Sequence, residues 1–552
     1  MRRTSVVVLP MLLLLMLRML SGCRSNPAPA APDAGPTEVQ VLSLASFLGQ
    51  LDPYAEYDDA GVEHDYGGLA VLSSYFAADR AAQPNTVLLV AGNSFAASPP
   101  LSAQFADVPT VKGLELLGDD GESLSDHNFD NGIPYLQNLV DQATYPFVST
   151  NISSIQSQVS PSIQVPFVIV EARGVKLGVL GLTDPNAPNI TFPGSFGSLT
   201  IDEPIAATNA AATQARAAGA QVVIALSDYR STGIGIAGAH TGPLIEFAQG
   251  LSGVDVVLGE NDVNPATYPI GSTLVVENAW RGLSYGKTLL QIADDGGVTA
   301  SATVVSPAVG GVTPDPNAEA LLTPYRTQLA MLFDGRIGVT SAALPFDATV
   351  LVGETAIGDV VAQAFLAKYA PVGAQIAVVN GGGIRDGLPS AYLPADMTLR
   401  RPQSGYAPGP PYDLVVGDPY AVYPFPDLCV LRSVTGAVLW QVVEQSVFDE
   451  PSPNNGFLQI AGFSFTYDVA GAPGARVQSV TLADGTSIAR DDASSLMLVV
   501  SDYINGGGDD YGMLIEANPT PGRDLAQAVL LDYLQTGPLL SATPGTRITQ
   551  VP

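Results

Sequence analysis

Residues 380–388 read Asn-Gly-Gly-Gly-Ile-Arg-Asp-Gly-Leu and follow directly on the apolar run Ile376–Val379. A glycine-rich loop after a strand can present backbone N–H groups to an anion, and Arg385 adds a bidentate donor. Histidine is scarce: His64, His127 and His240 are the only three. A histidine-rich binuclear metal site is therefore nearly excluded. Two cysteines, Cys23 and Cys429, make neither a disulfide framework nor a cysteine-rich zinc site. The stretch Tyr57–Tyr66 surrounds His64 with acidic residues. Such oxygens suit a hard cation such as calcium, but the ligand register of an EF-hand is lacking, so a solvated loop is expected. His240, within Gly238–Gly242, has no paired ligand and is expected in a loop.

Three more segments follow the glycine-rich loop in order. They are Tyr423-Pro424-Phe425, then Gly456–Gly462 (GFLQIAG), then Ser501–Gly512 (SDYINGGGDDYG). Their order and spacing resemble the C-terminal domain of the bacterial 5′-nucleotidase and 2′,3′-cyclic phosphodiesterase family. The resemblance covers about residues 37–540. It implies an α/β (α+β) chain of two domains: a four-layer metallophosphoesterase-like sandwich, a linker helix, and a domain that binds the nucleoside. In the family two aromatic side chains sandwich the base, and Phe457 and Tyr503 occupy the matching positions. Asp509 falls where a family carboxylate contacts the nucleoside. Asn380, Gly381, Gly382, Gly383 and Arg385 fall where the family holds the phosphate.

The resemblance also implies two divalent metals, which bridge a phosphate and generate a hydroxide. The segments that should supply their ligands have changed. The first strand should end in Asp-x-His-Gly, and Ser46 and Leu48 stand there instead. The second should end in Gly-Asp, and here Gly92 is followed by Asn93. The third, Gly-Asn-His-Glu in the family, is Ser125-Asp126-His127-Asn128. Asp228 stands where a histidine is expected. Asn261 and Val263 take the last two positions, beside Glu260 and Asp262. None of the seven matched positions keeps the family residue, so no bound metal is expected. His127 and Asp130 match the family's transition-state histidine and its carboxylate partner, here a vestigial dyad. A histidine oriented by an aspartate can transfer a proton, but without metals it lacks a nucleophile.

The elements that must position these residues are legible as patterns. Val39–Leu44, Thr86–Ala91, Gln221–Leu226 and Val254–Gly259 are apolar runs of buried-strand length. Phe167–Ala172 and Val175–Leu182 flank Arg173-Gly174 as a hairpin. An alanine-rich helix is expected between Ile201 and Gly219. Asp315-Pro316 caps and opens a helix that runs toward Phe333 and ends near Gly335. The expected domains are 37–305, a join with an interdomain helix at 306–345, and 346–552.

The N-terminus reads as an address. Residues 1–22 carry Arg2 and Arg3, an apolar run and a small-residue end before Cys23, a secretory pattern that resembles a lipoprotein box. Lipidation of Cys23 would anchor the exported protein in the bacterial cell envelope, with the Pro/Ala-rich residues 23–36 as a tether. The chain has 46% hydrophobic residues and a net charge of −30. Loss of residues 1–22 removes three arginines and leaves −33. Such a charge disfavours nucleic-acid binding and leaves the lipid as the only membrane contact. Three functions remain open. One is a catalytically impaired family member that binds a nucleoside or nucleotide. The second is an active phosphoesterase with Mg²⁺ or Ca²⁺ on Asn93, Asp126, Asp228 and Asn261. The third is a surface scaffold or adhesion protein with an unknown protein partner.

Overall fold

The computed structural model describes residues 36–551 except 58–62, 160–161, 235–239, 262–264, 519, 538–539 and 541. The leader, Cys23 and the tether up to residue 35 lie outside the described residues, as do Asp262 and Val263. Among the described residues no helix is long and apolar enough to cross a membrane.

Residues 37–305 form two stacked six-stranded sheets. In the first, Thr37–Leu44 lies between Tyr285–Ile292 and Thr86–Val90, followed by Asp119–Ser123 and Phe147–Val148. In the second, Val222–Leu226 lies between Val175–Gly181 and Val256–Asn261. The apolar runs are explained by burial on both faces. Along Thr37–Leu44 successive side chains point to opposite faces. Val39 and Val41 therefore enter the core between the sheets, with Leu177, Ile224 and Leu258. Leu42 and Leu44 instead pack with Leu72, Val111 and Leu139 of the helices Leu69–Ala82, Val108–Leu117 and Ile133–Gln142. On the far side Val223 and Val257 pack with Ala211, Ala215 and Phe247 of Pro204–Ala217 and Pro243–Gly250. Helix, sheet, sheet and helix make the four expected layers.

The helix Pro316–Phe333 is capped by Asp315, whose carboxylate accepts from Asn317 N–H at 2.8 Å. Its buried residues Ala318, Leu322, Leu329 and Phe333 share one core with the first sheet's helices and with Tyr392, Leu399 and Val415. The helix thus ties the two halves together. The strand Arg336–Thr340 pairs with Tyr412–Val415, so the second unit takes in residues read from sequence as part of the join. Its main sheet runs Cys429–Thr435, Ser495–Ser501, Ile376–Asn380, Leu458–Ala461. Helices Ala356–Tyr369 and Ala526–Thr536 cover one face and Gly436–Ser446 the other.

Two histidines lie elsewhere than expected. His64 sits exposed on the strand Glu63–Tyr66, paired with Tyr54–Tyr57. His240 belongs to a two-residue strand paired with Gly233–Ile234, and its ring stacks on Tyr268 at 4.0 Å. Backbone pairing and aromatic packing, invisible in local composition, decide both.

Candidate functional site

The strand ends of both halves converge on two adjoining cavities. The first, of about 580 Å³, is lined by Phe425, Tyr503, Asp509, Asn380, Arg385 and His127, among others. Tyr503 is placed by the short helix Asp502–Asn505, capped by the Ser501 side chain. Asp509 is held from two sides. Tyr503 donates its hydroxyl to Oδ1 and Asn380 its amide to Oδ2, both at 2.8 Å. Burial pushes the Asp509 carboxyl up to about 6, against the pull of these two donors.

Phe457 takes no part in this cavity. It is fully buried beside Leu458, Ile460 and Leu498, in the core under the sheet. Phe425 lines the cavity with Tyr503 in its place. The distinguishing signal was present in the sequence. Phe425 lies between Pro424 and Pro426, which mark a loop, whereas Phe457 runs straight into the strand Leu458–Ala461.

The glycine-rich loop does not form the expected anion cradle. Gly381 N–H donates to the Phe457 carbonyl at 2.7 Å and Gly382 N–H to the Asn455 carbonyl at 2.9 Å. Two donors are thereby consumed by the fold. The glycines serve close approach instead: a Cβ on Gly381 would lie 2.3 Å from the Val350 carbonyl oxygen. Arg385 remains, and lines both cavities. Its guanidinium lies 5.3 Å from the Phe425 ring centre. Its Nη2 lies 3.4 Å from His127 Nε2.

His127 sits in a short 3₁₀ turn closed by a reciprocal Ser125–Asn128 capping box. Its Nδ1 meets Asp130 Oδ2 at 2.7 Å, and its backbone N–H donates to Asn93 Oδ1 at 3.0 Å. Burial works against the imidazolium, but Asp130 and Asp126 outweigh it and hold the His127 pKa above its ordinary value. The dyad geometry is thus present.

The second cavity, of about 430 Å³, is lined by Ser46, Leu48, Asn93, Asp126, Asp228 and Glu260. Residues from all five segments aligned to metal-binding motifs meet here. Their side chains are engaged with one another. Ser46 Oγ bonds Glu260, and Asn93 Nδ2 donates to Asp126 Oδ1 at 2.8 Å. Asn93 therefore has its amide nitrogen and oxygen both committed. Leu48 contributes only hydrocarbon. Asp184, which no motif indicated, joins the lining. Burial, then Asp126, Asp184 and Glu260, raise the Asp228 pKa well above that of a free carboxyl. Among the described residues no group of three or more His, Cys, Asp or Glu side chains is placed to hold a metal ion. The residues present do not fit the family's metal pair.

Comparison with known proteins agrees with this architecture. Residues 336–516 match the family described as 5′-nucleotidase, C-terminal domain. A cell wall protein of Listeria monocytogenes is 23% identical over 92% of this chain and 68% of its own length. An endonuclease of Bacillus subtilis is 23% identical over 90% of this chain, which spans only 40% of that relative. The crystal structure of a 5′-nucleotidase precursor from Thermus thermophilus superposes with a TM-score of 0.80 at 22% identity. That match covers 93% of this chain and 99% of the other. Residues 336–516 thus belong to the 5′-nucleotidase C-terminal domain family, and the whole chain shares the two-domain fold of a 5′-nucleotidase.

Proposed function

We propose that the protein binds a nucleoside or nucleotide between Phe425 and Tyr503 and has lost the family's two-metal hydrolysis. One observation carries this reading: the side chains at the metal positions bond one another, Ser46 to Glu260 and Asn93 to Asp126. A phosphate at that place would meet Asp126, Asp184, Asp228 and Glu260 with no metal cation to screen them. What remains is a recognition surface. Phe425 and Tyr503 offer aromatic faces, Asp509 an oriented carboxyl, and Arg385 a cation for a single phosphate. The test is metal analysis of the purified mature protein, with turnover of AMP, ADP and a generic phosphoester in added Mn²⁺, Zn²⁺ or Co²⁺. Sub-stoichiometric metal and no turnover are expected, with adenosine still bound. Stoichiometric metal, with activity lost on His127→Ala, would overturn it.

One observation favours a second reading. Asp228 Oδ1 is buried without a hydrogen-bond partner. A Mg²⁺ or Ca²⁺ ion held by Asp126, Asp228 and neighbouring oxygens would satisfy it and relieve the repulsion among the carboxyls. Metal content unchanged by Asp126→Asn and Asp228→Asn would dismiss this reading.

We further propose export and lipid anchoring at Cys23. The charged start, apolar run and small residues before that cysteine support this. Release of a Cys23→Ala variant from the membrane fraction is expected.

A further inference from the structure

The nucleoside cavity carries two polar side chains that neither the aromatic pair nor Arg385 uses. Asp427 and Gln527 both line it. They are 8% and 6% exposed, deep burial for groups of this polarity. The Ala526 N–H donates to the Asp427 carbonyl at 2.9 Å. This starts the helix Ala526–Thr536 against the loop that carries Phe425, and brings the two side chains to neighbouring places. Tyr423 fixes the carboxyl by donating its hydroxyl to Asp427 Oδ2 at 2.8 Å. Nothing in the described protein donates to Asp427 Oδ1. The Gln527 side-chain amide has no hydrogen-bond partner among the described residues. An amide that opens to the cavity without a protein partner is free to bond a ligand. The rest of the polar lining is rich in acceptors, since Asp107, Asp130, Asp502 and Asp509 also face this cavity.

We propose that Asp427 and Gln527 read the edge of the base held by Phe425 and Tyr503, and select bases that carry an exocyclic amine over their oxo counterparts. The chemistry is complementary. A carboxylate only accepts, whereas the glutamine amide offers two donors and an acceptor. The exocyclic amine gives its N–H to Asp427, and the ring nitrogen beside it accepts an N–H from Gln527. Burial pushes the Asp427 carboxyl up to about 7; above that pH an exocyclic carbonyl in the amine's place points its lone pairs at a carboxylate with no proton between them. This inference rests on the nucleoside reading above, and its test separates the two.

The test is calorimetric titration of the mature protein at about pH 8.5, where the Asp427 carboxyl is ionised, with the matched pairs adenosine and inosine, and cytidine and uridine. Wild type is expected to favour the amino member of each pair by at least about tenfold, the scale of one buried hydrogen bond to a charged group. Asp427→Asn, whose amide can turn a donor to the carbonyl, is expected to bring the ratio to within about twofold, since the repulsion then has no source. Gln527→Leu is the second variant and is expected to narrow the ratio as well. The ratio is the readout because a merely loosened fold weakens both members alike. Equal binding within each pair by wild type would overturn the inference and leave the nucleoside reading standing. So would a ratio that survives both substitutions, since it would have to arise from other residues. Failure of wild type to bind any of the four nucleosides would overturn both readings.

Discussion

His127 Nε2 and Arg385 Nη2 lie 3.4 Å apart, one from each half of the chain. Because Nδ1 of the same ring is turned to Asp130 at 2.7 Å, the neutral imidazole carries its proton on Nδ1 and offers Nε2 as an acceptor to the guanidinium. Protonation of His127 would instead set two cations face to face. The contact therefore links the charge on the histidine to the arginine proposed to hold a phosphate.

Arg385→Ala is expected to raise the His127 pKa further, because Arg385 is the one neighbouring charge that lowers it. The imidazole resonances are readable by NMR titration, since the chain has only three histidines. The same substitution is expected to weaken AMP binding by roughly tenfold and adenosine binding less, as befits a charge-assisted contact to phosphate. Arg385→Lys would restore the charge but not the planar contact with Phe425, and only part of the affinity.

Asp228→Asn is expected to stabilise the protein, more at pH 8 than at pH 5. Burial and three neighbouring carboxyls raise the Asp228 pKa. The folded protein then keeps a proton that the unfolded chain releases above about pH 4. Stability falls as pH rises between those two pKa values, because the unfolded state binds fewer protons there. The amide removes that dependence. A gain of about 1 kcal/mol would appear as a Tm higher by roughly 1–2 °C, since the shift shrinks as the unfolding unit grows. A Tm lowered by the substitution in the presence of Mg²⁺ would favour the second reading of this cavity.

Phe425→Ala and Phe457→Ala are expected to fail in opposite ways. Loss of a stacking face is worth about 1–3 kcal/mol per base, so Phe425→Ala should lower adenosine affinity about five- to hundredfold at nearly unchanged Tm. Phe457 is fully buried in the core. Its truncation should cost about 3–5 kcal/mol of stability and leave the affinity of the folded fraction intact. Calorimetry beside thermal unfolding separates the two.

Strand content and the convergence of the altered segments on one cavity were legible because, while the third follows the polar strand Asp119–Ser123, four of the five sit at the end of an apolar run. Such runs, buried on both faces, place their C-terminal ends at a common edge of the fold. The aromatic pair was legible only in part. Phe425 and Phe457 both belong to family-like segments, and only the prolines about Phe425 separate loop from strand. The glycine-rich loop misled because glycine serves both anion binding and close packing, and only the hydrogen bonds of Gly381 and Gly382 decide between them. Asp184, Asp427 and Gln527 had no local signature. Each reaches its cavity through pairing of chain segments far apart in sequence.

The least visible of these remote pairings concerns Arg401 and Asp418, whose side chains are wholly buried. Arg401 Nη2 lies 2.9 Å from Asp418 Oδ1, and donates to the Ser390 and Tyr392 carbonyls at 2.8 Å. Asp418 also accepts from the Ser390 N–H at 2.9 Å and the Val415 N–H at 2.7 Å. The segment after Arg385 is thereby pinned at Ser390, and again by Asp386, whose Oδ2 accepts from the Ala391 N–H at 2.9 Å. Asp418→Ala would strand a buried guanidinium, which costs about 3–5 kcal/mol when a buried pair is broken from one side. A matched apolar pair, Arg401→Met with Asp418→Leu, should recover much of that in urea unfolding, because neither charge is then left uncompensated. It should not recover AMP affinity. The apolar pair cannot donate to the Ser390 carbonyl or accept its N–H, so the segment that leaves Arg385 loses its anchor even where the fold is regained.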